Sequence, residues 1–166
     1  MRIIGIDPGT AITGFSIIEA DKDKLTLLDA GYIHTQKGMK NPQRLDQISK
    51  DLKELVKKWK PQRASVEKLF FNKNITTGMA VSEARGVVTQ IFAENEIEIC
   101  EFGPSEIKSH ICGNGRADKK AVQKMVKILM QLEHVPKPDD VADAIAVAIC
   151  GANYHNHEAL NAAQSQ

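Results

Sequence analysis

The stretch RIIGIDPGT, residues 2–10, decides the fold. Residues 2–7 form an apolar run that closes on Asp7 and read as a buried strand. The turn DPGT follows, in which Pro8 presets φ and Gly9 is expected to supply the positive φ of a type II turn. Working outward, TGFSIIEA at 13–20 and KLTLLDAGYIHT at 24–35 are two further strands split by the polar DKD, which predicts an antiparallel meander. A helix is expected from Pro42 to Lys58, with Leu45, Ile48, Leu52, Leu55, Val56 and Trp59 at helical spacing and Lys60-Pro61 ending it. ASVEKLF at 64–70 is then a fourth strand. Reaching it through a helix predicts a crossover, and so parallel pairing with the first strand.

The C-terminal half continues the alternation. A helix over 75–94 is expected to bury Met79, Ala84, Val87, Val88, Ile91 and Phe92, and EIEICEF at 96–102 is the fifth strand. Pro104 opens a short helix, as proline favours a first helical position. The link GNGRADK is glycine-rich and is expected to be mobile. A helix over 118–132 is expected to bury Val122, Met125, Val126 and Leu129. The last helix starts near Asp139 and is rich in alanine, which allows close approach to the sheet. The chain is therefore expected to be α/β: a five-stranded mixed sheet, antiparallel meander plus parallel strands, flanked by helices. One domain is expected over 1–155, with a polar, frayed tail over 156–166.

Composition narrows the function classes. Apolar content of 42% and charged content of 26% are those of a soluble globular protein, and no apolar run is long enough to span a bilayer. The N-terminus enters a strand directly, without a signal-peptide layout. Cys100, Cys112 and Cys150 form no C-x-x-C pair and are expected to be reduced thiols in a cytoplasmic protein. The net charge is +1, but from Glu106 to Lys137 seven basic residues (Lys108, Arg116, Lys119, Lys120, Lys124, Lys127 and Lys137) face three acids. That local excess suits a phosphate-tracking face.

The chemistry lies in four carboxylates. Asp7 and Glu67 close adjacent parallel strands, at the end of the sheet where open α/β folds place their sites. Asp140 and Asp143 are three apart on the last helix and share a face. If that helix packs over the same end, four like charges meet, and such a cluster requires a cation. Oxygen-only ligands suit Mg²⁺ or Mn²⁺ rather than Zn²⁺. Two such ions would clamp a scissile phosphodiester, one activating water and the other neutralising the leaving 3′ oxygen. Asp139, after Pro138, is placed to cap the helix. Phe70 and Phe71 leave the fourth strand beside Glu67, where an exposed ring stacks on or wedges between bases. His155 and His157 form an H-x-H with no third ligand nearby. No Walker P-loop, G-x-G-x-x-G or G-x-S-x-G occurs.

In order and spacing, GIDPGTAITG, ASVEKLFFNKN, EARG, EFGPSEIKSHICGNGRADKKAVQKMV and ADAIAVAI resemble the RuvC family of bacterial crossover junction endodeoxyribonucleases. The first motif alone is shared with actin-like ATPases, but the ordered set is specific. The resemblance implies an RNase H-like fold and a nuclease that resolves Holliday junctions by paired nicks in strands of like polarity, leaving 5′-phosphate and 3′-hydroxyl ends. It implies that Asp7, Glu67, Asp140 and Asp143 are the catalytic, metal-binding acids. It places the base-stacking aromatic at Phe70, with Phe71 beside it, and DNA-contacting bases at Lys108 and Lys119, with Lys120 adjacent. It further implies Mg²⁺ dependence, with two ions per subunit, a four-way DNA junction as substrate, a homodimer, and cooperation with RuvA and RuvB. Three other readings remain for comparison. A small RNase H-like nuclease acting on RNA is disfavoured by the Phe pair and the basic link. An actin-like phosphotransferase needs two such domains. A binding module without catalysis leaves four acids unexplained.

Overall fold

The computed structural model describes residues 1–21, 24–69 and 75–164, except the side chains of 75–77 and 155–164. Three strands, β1 (Arg2–Asp7), β2 (Ile12–Asp21) and β3 (Lys24–His34), form the meander. Helix α1 (Asn41–Trp59) crosses to β4 (Arg63–Glu67), and α2 (Ile75–Glu94) crosses to β5 (Glu98–Phe102). Helices α3 (Pro104–Cys112), α4 (Lys119–Leu129) and α5 (Asp139–Gln164) follow. The sheet order is β3-β2-β1-β4-β5, with β1, β4 and β5 parallel. This is the expected mixed sheet of the α/β class.

The alternation of each strand sorts side chains into two cores. Ile4, Ile6, Ile17, Ala64 and Val66 face α1 and α2, where Ile48, Leu52, Val88, Ile91 and Phe92 close over them. Ile3, Ile18 and Ala20 face the other way, against Val141, Ile145, Ala148 and Ile149 of α5, with α3 and α4 at its flank. Helix ends are specified locally. Pro104 starts α3, and the Glu106 carboxylate accepts from Gly103 N at 2.6 Å. Asp118 caps α4 by accepting from Ala121 N at 2.7 Å. After α3, Gly113 takes φ +70, and Ala117 N returns to Asn114 O at 3.0 Å, so the basic link forms a defined turn.

Helix α5 lies unusually close to the sheet. A β-carbon on Gly5 would collide with the carbonyl of Ala144, and one on Gly14 with the carbonyl of Asp140. Ser16 Oγ, fully buried, donates to Ala144 O at 2.9 Å and fixes the helix along its axis. These contacts put the first turns of α5 over the C-terminal end of β1. The backbone of α5 continues as helix to Gln164, past Asn156 where the apolar pattern stops.

Three local expectations are corrected. Gly9 does not take a positive φ; glycine is needed because a β-carbon would strike the carbonyl of Ile12. Met79 is 61% exposed, because the buried stripe of α2 begins only at Ala84. Leu129 is also exposed, since Met130, just past the end of α4, turns into the core in its place.

Candidate metal and nucleic-acid site

In the register of β1 and β4, Ile6 lies beside Val66, so Asp7 and Glu67 leave the sheet side by side. Both are the last residues of their strands and only partly exposed. Gly14, the partner of Asp7 on β2, receives the first turn of α5 and sets Asp140 above it. Asp143 lies one turn on. The four acids thus come from three pieces of chain remote in sequence, and act on one another electrostatically.

Their ionisation records that crowding. The Asp7 carboxyl is pushed up to about 8, by burial first and then by the charges of Glu67, Asp143 and Asp140, with Lys119 opposing. Glu67 rises to about 7 through burial and Asp143, with Lys119 and Lys108 opposing. Asp143 is also raised by burial, against the hydrogen bond and charge of Lys119.

Lys119 is the local counter-ion. Its Nζ stands 3.0 Å from Asp143 Oδ2 and 3.4 Å from Asp139 Oδ2. Burial works against its charge, but these two carboxylates hold its ammonium above the ordinary range. Asp139 is the first residue of α5, and its carboxylate is exposed and faces this lysine. A cleft opens between α3, α4 and α5, lined by Glu67, Lys108, Lys119 and Asp143 with Pro104, Ile107 and Val122. Acid lies on its floor and ammonium on its wall. Lys120 is exposed on α4 and does not line the cleft. Phe70 and Phe71, and the side chains of His155 and His157, lie outside the described residues.

Among the described residues, no three His, Cys, Asp or Glu side chains stand in a geometry to hold one ion. The donor set nevertheless fits a hard divalent cation. It is oxygen only and half-buried, and burial together with the neighbouring carboxylates drives Asp7 out of the carboxylate range, beyond what Lys119 offsets.

Sequence reasoning missed the support behind Asp7. Every carbonyl of the turn after Pro8 is tied down. Thr13 Oγ1 donates to Gly9 O at 2.5 Å, Thr35 Oγ1 to Thr10 O at 2.6 Å, and Thr35 N to Ala11 O at 3.0 Å. Arg44 Nη1 donates to Thr35 Oγ1 at 2.8 Å and to Thr10 O at 3.5 Å, and Arg44 Nε to Met39 O at 3.3 Å. The only signal in the sequence was an arginine flanking the apolar stripe of α1, which reads equally well as a solvated side chain.

Comparisons with known proteins agree with this fold. The family described as crossover junction endodeoxyribonuclease RuvC matches residues 3–151. A crossover junction endodeoxyribonuclease RuvC of Alkaliphilus metalliredigens is 48% identical over 160 residues, spanning 96% of this chain and 98% of its own. One from Prochlorococcus marinus is 49% identical over 153 residues, spanning 92% and 97%. The solved structure of Thermus thermophilus RuvC in complex with Holliday junction substrate superposes with a TM-score of 0.90 at 28% identity, covering 95% of this chain and 96% of that one. The yeast mitochondrial Holliday junction resolvase Ydc2 shares the fold at a TM-score of 0.69 and 18% identity, over 92% and 78% of the two chains.

Proposed function

The chain belongs to the RuvC family of crossover junction endodeoxyribonucleases, and from that premise we propose that its acidic pocket cuts Holliday junctions. It is a divalent-metal-dependent endonuclease that resolves four-way DNA junctions in recombination and repair. The observation carrying this reading is the convergence of Asp7, Glu67, Asp140 and Asp143 at one end of the sheet, beside a cleft walled by Lys108 and Lys119. Asp7, Glu67, Asp140 and Asp143 would hold Mg²⁺, with Mn²⁺ able to replace it and two ions per subunit during cutting; when bound, these supply an activated water and neutralise the leaving oxygen.

The chain's own groups do the rest. None of the four carboxylates needs to act as a nucleophile. Lys108 and Lys119 hold the phosphate that enters the cleft, and Lys120 tracks the backbone just outside it. Phe70, with Phe71 beside it, stacks against bases unpaired at the crossover. Hydrolysis leaves a 5′-phosphate and a 3′-hydroxyl. Two subunits related by a two-fold axis match the approximate symmetry of a four-way junction and present one pocket to each of two strands of like polarity. The protein works in the cytoplasm with RuvA and RuvB. Among the described residues no helix is long and apolar enough to cross a membrane. Residues 1–155 act as one nuclease domain.

The test is incubation with a synthetic four-way junction, with and without Mg²⁺, against linear duplex and RNA–DNA hybrid. Symmetric nicks on the junction alone, only with the metal, are expected. Equal cutting of the hybrid would instead indicate an RNA-directed nuclease.

A further inference from the structure

We propose that Arg44 is a positioning residue for the acidic pocket: through the buried Thr35 hydroxyl it clamps the turn after Asp7 and so holds that carboxylate among the other three. The inference rests on reading the pocket as the metal-dependent nuclease site. Asp7 is the last residue of β1, paired with Gly14 of β2, and on its C-terminal side the turn of residues 8–11 restrains it. Glu67, Asp143 and Asp140 crowd it with like charge, which resists its ionisation and favours any movement that takes the carboxyl away. A compliant turn would yield to that force.

This turn does not yield, because its carbonyls are bonded to β2 and to the link between β3 and α1. Thr35, 2% exposed, is the junction of the network. Its hydroxyl both accepts from Arg44 and donates to Thr10 O. The incoming guanidinium bond occupies the oxygen's acceptor side and so aims its hydrogen at Thr10 O. Arg44 also reaches Thr10 O and Met39 O, joining the Asp7 turn to the entry of α1. Three acceptors in one fan suit a planar guanidinium and not an ammonium. These donors point into the protein, so the side chain is engaged in support rather than offered to DNA.

The test compares wild type with Arg44→Met, Arg44→Lys, Thr35→Val and the Arg44→Met/Thr35→Val pair. Mn²⁺ binding to the protein alone is followed by calorimetry, and junction binding is measured in EDTA across a salt series. The clamp predicts a Mn²⁺ dissociation constant about tenfold higher in Arg44→Met and in Thr35→Val, the scale expected for removing an outer support of metal ligands. Arg44→Lys should recover part of the loss. The pair should be no worse than Thr35→Val alone, because the two residues act as a unit. Junction affinity without metal, and its salt slope, should match wild type. Wild-type Mn²⁺ affinity in both single variants would overturn the clamp. So would a smaller salt slope with unchanged metal affinity, which would make Arg44 a phosphate contact. If Arg44→Met does not fold, Thr35→Ser against Thr35→Val decides, since serine keeps the hydroxyl. Asp7→Asn separates the two levels of inference. Loss of Mn²⁺ there but not in the clamp variants sinks the clamp alone, whereas absence of Mn²⁺ binding in wild type sinks the pocket reading and the clamp with it.

Discussion

The neutral form of Asp7 is the cost of assembling the pocket. Its folded pKa near 8 lies above the ordinary 3.8, so the folded state keeps a proton that the unfolded chain gives up. The sign follows from linkage: a destabilisation absent below about pH 4 grows as pH rises and is complete above about pH 8. Unfolding in urea with EDTA should show wild type losing on the order of a few kcal/mol between pH 5 and pH 8.5. Asp7→Asn, which cannot ionise, should lose distinctly less, and added Mg²⁺ should restore wild type mostly at the alkaline end. An identical pH slope in the two proteins would mean that Asp7 is not under strain. The same variant should bind a junction and fail to cut it. At the cleft wall, Lys119→Ala should weaken junction binding and reduce its salt slope by about one. Phe70→Ala should cut poorly while binding Mn²⁺ like wild type, and full turnover would show that the ring is not used on DNA. Asp7 and Glu67 were legible because each closes an apolar run, and Asp143 because it interrupts an alanine-rich face. By charge alone Lys119 was one basic residue among seven, and only the family resemblance singled it out. Its pairing with Asp143 and Asp139 depends on how α4 approaches α5, a tertiary fact with no local signature.

At the scale of elements, the pocket depends on how closely one helix lies on the sheet. Gly14→Ala places a methyl group against the carbonyl of Asp140. It should destabilise the fold by about 1–3 kcal/mol, as overpacking does, and raise the Mg²⁺ concentration needed for half-maximal cutting. Gly86→Ala is the control: the site lies within α2 and a β-carbon there meets nothing within 4 Å. It should stabilise the protein by about 0.5–1 kcal/mol, as alanine does in a helix interior. Thermal melts of both variants check the pair; equal destabilisation would contradict the packing account. The ten elements of the described residues could be read in the sequence, because strand runs and helical stripes are local patterns. The register shift of β2 and β3 between Ile17 and Ile18 could not. Nor could the reason for Gly9, which serves a steric contact with Ile12 rather than a turn dihedral. Both depend on a neighbouring strand whose distance the sequence does not state.

Both signs of charge are spread over the molecule, but at the cleft they are segregated by element: Glu67 and Asp143 from β4 and α5, Lys108 and Lys119 from α3 and α4. The segregation explains how a chain of net charge +1 can approach DNA, since the phosphates meet the basic wall before the floor. A dimer should act on both strands in one encounter. On a supercoiled plasmid carrying an extruded cruciform, linear product should appear with little nicked circle accumulating. Sedimentation should give twice the mass of one chain, and accumulation of nicked circles would show that the subunits cut independently.

The four acids reach their common site from β1, β4 and α5, which span nearly the full length of the fold, and the last two arrive only when α5 settles on Gly5 and Gly14. A chain whose sheet has formed but whose final helix has not docked therefore has only two of the four acids in place. During renaturation, nuclease activity should lag behind the recovery of sheet signal and coincide with burial of α5. On the proposed reading an incompletely folded polypeptide lacks the pocket that cuts, and the appearance of cutting would serve as a clock for the last step of folding.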